Sequence, residues 1–217
     1  MHRRRLAVAL ALAATLATAC GSGSSAARPT DKVSAESIDY SKLHGAVPVQ
    51  HDPKPALRLT DVNGKQFDLR AQTEGYATLL YFGYTHCPDE CPTAMADVAS
   101  ALRRSDPAVA SKVKVVFVTT DPWRDTRPVL KKWLGKFSSQ FIGLTGTPSQ
   151  IAGAEVQMGM PISRRQPAPK SYGSGRYAVD HMAAVIAYGR NDEVATLYPS
   201  GITPGEIAAD LKVLVEG

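Results

Sequence analysis

The chain has 217 residues, 44% of them hydrophobic, with a formal charge of +5 and three cysteines. An export signal would carry away Arg3, Arg4 and Arg5, which takes +5 to +2, so the basic balance gives no argument for nucleic acid. If Cys20 is lipidated, only Cys87 and Cys91 stay as thiols, which excludes a four-thiolate zinc site.

Residues 1–19 read as that export signal: a basic start, an apolar Leu/Ala/Val run, then small residues. The apolar run is too short to span a bilayer. Cys20 follows Leu16-Ala17-Thr18-Ala19 and precedes Gly21-Ser22-Gly23, which resembles a bacterial lipobox with Ala17 where Leu is usual. Residues 20–45 are Gly, Ser, Ala and charge with little apolar content. They read as a lipidated N-terminus and flexible tether, which leaves 46–217 as one folded domain. The expected location is the extracytoplasmic face of the membrane, held by the lipid.

Residues 57–69 alternate around Asn63-Gly64, a hairpin signal. Residues 78–83 form an apolar, aromatic strand, and Pro92 suits the first position of a helix striped by Met95, Val98, Ala99 and Leu102. A second buried strand covers 113–119. Asp125-Thr126-Arg127-Pro128 opens another helix, and 141–144 is a short strand. Thr147-Pro148-Ser149-Gln150 has the pattern of a capping box. Residues 159–176 read as a loop, 177–188 as a strand pair broken at Asp180-His181, and 193–198 as a strand. Thr203-Pro204-Gly205-Glu206 caps a last helix. Strands alternating with helices predict an α/β domain with helices on both faces of a central mixed sheet. Cysteines at a strand-to-helix junction make that a thioredoxin-like fold with an N-terminal β-hairpin.

The chemistry concentrates in residues 79–92, where the central strand runs into Cys87-Pro88-Asp89-Glu90-Cys91-Pro92. With Cys91 at a helix start and Cys87 one turn before it, their Cα atoms are roughly 6 Å apart. That spacing permits a redox-active disulfide and equally permits both thiolates to hold one metal ion. A purely stabilising disulfide is disfavoured, because closing so short a loop removes little unfolded-chain entropy. Asp89 and Glu90 disfavour a second anion nearby, whereas a cation neutralises such a cluster. Two thiolates and an imidazole suit soft Cu(I). Of the five histidines, His2 leaves with the signal, His44 and His51 lie in or near the tether, and His86 should point away from Cys87. His181 is the candidate, although by position alone a structural histidine is the commoner outcome.

Three separated motifs, Tyr81-Phe82-Gly83-Tyr84-Thr85-His86-Cys87-Pro88-Asp89-Glu90-Cys91-Pro92, Asp121-Pro122-Trp123-Arg124-Asp125-Thr126 and Tyr177-Ala178-Val179-Asp180-His181, resemble the Sco/SenC copper-binding proteins in type and order. The resemblance covers roughly residues 50–217. It implies a thioredoxin-like metallochaperone rather than an enzyme, with copper, Cu(I) or Cu(II), on Cys87, Cys91 and His181. It also implies delivery to the binuclear copper centre of cytochrome c oxidase subunit II; an extracytoplasmic thiol reductase or copper donor is a further expected partner. Two positions depart from the family pattern. Met182 follows the His in place of a small hydroxyl residue, where packing is its expected role, and Trp123 sits inside the Asp-Pro motif.

Two rivals share the fold. A thioredoxin-type reductase would have two residues between the cysteines and a proline before the facing strand; here there are three, and His181 precedes that strand. A peroxiredoxin would place Pro and Thr where Leu80 and Tyr84 stand. Thiol-disulfide exchange on exported proteins and redox or copper sensing stay open as alternatives. Arg124 and Asp125 are expected to pair with each other, and Arg164, Arg165 and Lys170 to lie in a solvated loop or to dock an acidic partner.

Overall fold

Strand β3 (Ala77–Gly83) is buried along its whole length. Both of its faces are covered, which is why its sequence runs apolar without alternation. It pairs in parallel with β4 (Val113–Thr119), from Ala77 opposite Val113 to Gly83 opposite Thr119. On its other side it pairs antiparallel with β8 (Ala184–Tyr188). The hairpin β1 (Arg58–Asp61) and β2 (Gln66–Asp68), strand β5 (Ile142–Thr145) and strand β9 (Val194–Pro199) complete a seven-stranded sheet in the order β2-β1-β5-β4-β3-β8-β9. The structure is a computed structural model that describes residues 37–167 and 177–217, all within one unit spanning Ser34–Gly217. The expected signal, Cys20, the tether as far as residue 36, and Lys170 lie outside the described residues.

Alternation along β3 sorts the core into two layers. Leu79 and Tyr81 face α2 (Glu90–Arg104), α4 (Arg127–Leu134) and α6 (Pro204–Glu216), through Met95, Val98, Leu130, Trp133, Leu211 and Leu214. Leu80 and Phe82 face α1 (Leu69–Thr73) and α5 (Pro148–Gln157), through Leu69, Ile151 and Ala154. A short α3 (Pro107–Ala110) links α2 to β4. Helices on both faces of a mixed sheet make this the expected thioredoxin-like fold. Among the described residues no helix is long and apolar enough to cross a membrane.

Four expectations change. Helix α2 begins at Glu90 with Asp89 as its N-cap residue, so Pro92 is its third residue rather than its first; a first-turn N–H has no intrahelical partner to lose there either. Residues 164–167, expected in a loop, form strand β6 (Arg164–Pro167), paired antiparallel with β7 (Tyr177–Asp180). Strands β7 and β8 are separate, because β7 belongs to this two-stranded ribbon and β8 to the main sheet. The tether expected to run to residue 45 is anchored from its described part onward. Ile38 is buried in the core, the His44 N–H donates to Asp210, and Ala46 bridges to Leu197 on β9. Its few apolar residues are spent on specific contacts that average composition hides.

Candidate metal centre

Strand β3 ends at Gly83, where nothing larger fits: a Cβ there would meet Tyr81 Cε1 at 2.6 Å and Cys91 Sγ at 2.8 Å. The chain then turns outward through residues 84–89 and re-enters at α2. Cys91, in the first turn, points inward and is fully buried, while Cys87 is half-buried at the rim. The Asp89 side chain makes no capping hydrogen bond. Instead the Cys91 N–H donates to Cys87 Sγ at 3.4 Å, so a sulfur takes one of the free donors of the helix start. The Tyr84 N–H donates to Cys91 Sγ at 3.5 Å.

His181 enters from the far side of the sequence, directly after β7. Its Nε2 lies 3.5 Å from Cys91 Sγ. Its Nδ1 lies 3.1 Å from the Met182 carbonyl, which can only accept, so Nδ1 carries the proton and Nε2 presents its lone pair to the sulfurs. The ring is held edge-on by Tyr84, centroids 5.5 Å apart, and by Tyr81, 6.1 Å apart. One ligand atom from each of Cys87, Cys91 and His181 falls within 4.8 Å of the other two. Three donors spread around one ion at bonds of about 2.3 Å sit roughly 4 Å apart, so closure by less than about 1 Å completes a three-donor site. Two soft sulfurs and one imidazole fit a soft ion.

The two cysteines are free thiols in this structure, and their environments drive them apart. A hydrogen bond from Cys91 holds the Cys87 thiol down at about 4, with further help from two backbone N–H groups. Burial, then the hydrogen bond and charge of Cys87, push Cys91 far up. The pair therefore carries one thiolate, at the rim, and one proton, inside.

Of the other histidines, His86 is exposed and turns to Thr85 Oγ1 at 3.1 Å, outside the donor group, as expected. His44 is taken by Asp210, and His51 bonds the Val194 carbonyl and stacks on Tyr40. Met182 is half-buried and packs on the second core layer. The expected Arg124–Asp125 ion pair is not formed. Arg124 Nε donates to Asp121, and Asp125 instead accepts from the Thr85 N–H at 2.9 Å, Thr85 Oγ1 at 2.6 Å and Thr119 Oγ1 at 2.7 Å. The Asp125 N–H bonds the Asp121 carbonyl, and this tight turn directs the Asp125 carboxylate into the protein. Arg165, on β6, lies over the half-exposed Trp123 ring at 4.2 Å.

A family model described as SCO1/SenC matches residues 49–216. Among curated relatives, the mitochondrial protein SCO2 of Saccharomyces cerevisiae is 40% identical over 95 residues, covering 44% of this chain and 31% of its own length. The chain thus spans about a third of that relative. Among solved structures, Bradyrhizobium japonicum ScoI with copper bound aligns at a TM-score of 0.63 and 34% identity, covering 74% of this chain and 98% of its own. The apo Sco1 protein of Thermus thermophilus aligns at 0.63 and 29% identity, covering 80% and 95%.

Proposed function

Because the chain belongs to the SCO1/SenC family, we propose that it is a copper chaperone holding one copper ion through Cys87 Sγ, Cys91 Sγ and His181 Nε2. The observation that carries the reading is the convergence of these three atoms within 4.8 Å, with the imidazole Nδ1–H donating to the Met182 carbonyl. Loading begins at Cys87, the half-exposed thiolate, and closes when buried Cys91 gives up its proton. Both thiols must be reduced for this. The cargo goes to the binuclear copper centre of cytochrome c oxidase subunit II, on the extracytoplasmic face of the membrane, where the export signal and a lipid on Cys20 would hold the protein. A thiol reductase keeping the pair reduced and an upstream copper donor complete its partners. The test is transfer: copper-loaded protein is mixed with the metal-free soluble domain of subunit II, and the absorbance of the binuclear centre is followed. The parent should transfer and Cys87→Ala should not; a parent that keeps its copper contradicts delivery.

A second reading rests on the asymmetry of the pair. A rim thiolate beside a buried thiol can attack a partner's disulfide at Cys87 and resolve at Cys91. The partner's disulfide becomes two thiols while Cys87 and Cys91 become a disulfide. His181→Ala separates the two readings, since it should abolish tight copper binding and leave thiol exchange largely intact.

A further inference from the structure

The two halves of the donor set reach the site from stretches of chain far apart in sequence. Cys87 and Cys91 follow β3 in the main sheet, whereas His181 lies between β7, paired among the described residues with β6 alone, and β8, which pairs with β3 through Ile186, Ala187 and Tyr188. A three-donor site needs those halves fixed to within a fraction of an ångström. The apolar contribution is modest: Val179 is the one residue of β7 buried in the core. Among the described residues, the side-chain hydrogen bonds that tie β7 to the cysteine side run through the loop 120–126, which follows β4.

That loop holds one half with each of its acidic residues. Asp125, fully buried, takes the Thr85 N–H at 2.9 Å and Thr85 Oγ1 at 2.6 Å, two residues before Cys87. Asp121, also fully buried, accepts the Tyr177 hydroxyl at 2.8 Å at the start of β7. Arg124 completes the second grip. Its Nε bonds Asp121, its Nη1 donates to the Tyr177 carbonyl at 3.1 Å, and its guanidinium lies 3.6 Å from the centre of the Tyr177 ring. Trp123, between them, carries Arg165 of β6 on its face. Asp121 and Asp125 are themselves joined through the Asp125 N–H to the Asp121 carbonyl at 2.9 Å.

We propose that Arg124 and Tyr177 are positioning residues, which lock the strand bearing His181 to the loop that indexes Cys87 and thereby set the distance between the imidazole and the sulfur pair. Neither touches the donor atoms. The inference rests on the Cys87–Cys91–His181 reading and adds what holds it in register. A planar guanidinium suits this place, since its fork serves Asp121 and the Tyr177 carbonyl from two fixed nitrogens while its face lies on the Tyr177 ring, a geometry a lysine does not reproduce. The cysteine pair does not depend on this grip, because its own fastening is Asp125 to Thr85.

The test compares the parent with Arg124→Met, Tyr177→Phe and His181→Ala, each first shown folded by thermal unfolding. Copper affinity, the Cu(II) absorption and electron paramagnetic resonance spectra, and the reduction potential of the Cys87–Cys91 disulfide are measured on each. Loss of an outer hydrogen-bonding partner at metal sites costs about 10- to 100-fold in affinity. Arg124→Met should fall in that range, with its Cu(II) spectrum displaced toward that of His181→Ala and its disulfide potential matching the parent. Tyr177→Phe, which loses one hydroxyl and keeps the ring, should move the same way by less and decides the matter if Arg124→Met does not fold. Parent-like affinity and spectrum in Tyr177→Phe and in any folded Arg124→Met overturn the proposal. A parent-like His181→Ala overturns the metal-centre reading beneath it instead.

Discussion

Cys87 and Cys91 are one residue type in two electrostatic settings, which divide one charge and one proton between them. Cys87 accepts hydrogen bonds at the start of α2 and holds its charge; Cys91, without exposure, holds the proton. The sign follows directly. A depressed thiol keeps its thiolate down to its folded value, so ultraviolet thiolate absorbance of the reduced protein should show one thiolate at neutral pH, lost as pH falls through about 4. Cys87→Ser should abolish that signal. Cys91→Ala should keep it but move its midpoint upward, because the hydrogen bond from Cys91 is the largest cause of the depression. Two thiolates at neutral pH in the parent would contradict the shared-proton picture. The three residues that converge, Cys87, Cys91 and His181, were named in the sequence through motif resemblance. Their supports were not: Asp125 looks like a partner for the adjacent Arg124, and only the tight turn at Asp121 sends its carboxylate to Thr85.

Elements were legible wherever their signal is local. The capping boxes at Thr147/Gln150 and Thr203/Glu206 form as the residues suggest, and Gly64, at φ +86°, supplies the left-handed turn of the hairpin. Thr147→Ala should lower stability by about 1 kcal/mol in chemical denaturation. Strand β6 was missed because Arg164, Arg165, Gln166 and Pro167 are all exposed, and a strand with no buried face leaves no period-two pattern. The end of β3 gives the element-scale test of the site. In Gly83→Ala the new methyl must displace Cys91 Sγ or Tyr81, so stability should fall by about 1–3 kcal/mol. Copper affinity should drop with it. A Gly83→Ala protein that binds copper like the parent would show that the sulfur need not sit where β3 places it.

At the scale of the molecule, the described part of the expected tether belongs to the folded body. Its contacts are long-range in sequence, from His44 to Asp210 and from Ala46 to Leu197, and no local pattern announces them. The hydrogen bond to the Asp210 carboxylate raises the pKa of His44. A raised folded value gives stability that is fully present below the unfolded value near 6.5 and is lost as pH rises through the folded one. His44→Gln should therefore lower the melting temperature more in mildly acidic buffer than in alkaline buffer, and an equal effect at both would count against the ion pair. The thioredoxin-like frame was readable from strand and helix alternation, but the closing of residues 87, 91 and 181 on one another is a property of the whole fold. The measurement that bears on it most directly is a copper titration of the reduced protein beside His181→Ala. One copper per chain in the parent, with affinity lowered at least about tenfold in the variant, is the predicted result; equal stoichiometry and equal affinity in the two would contradict it.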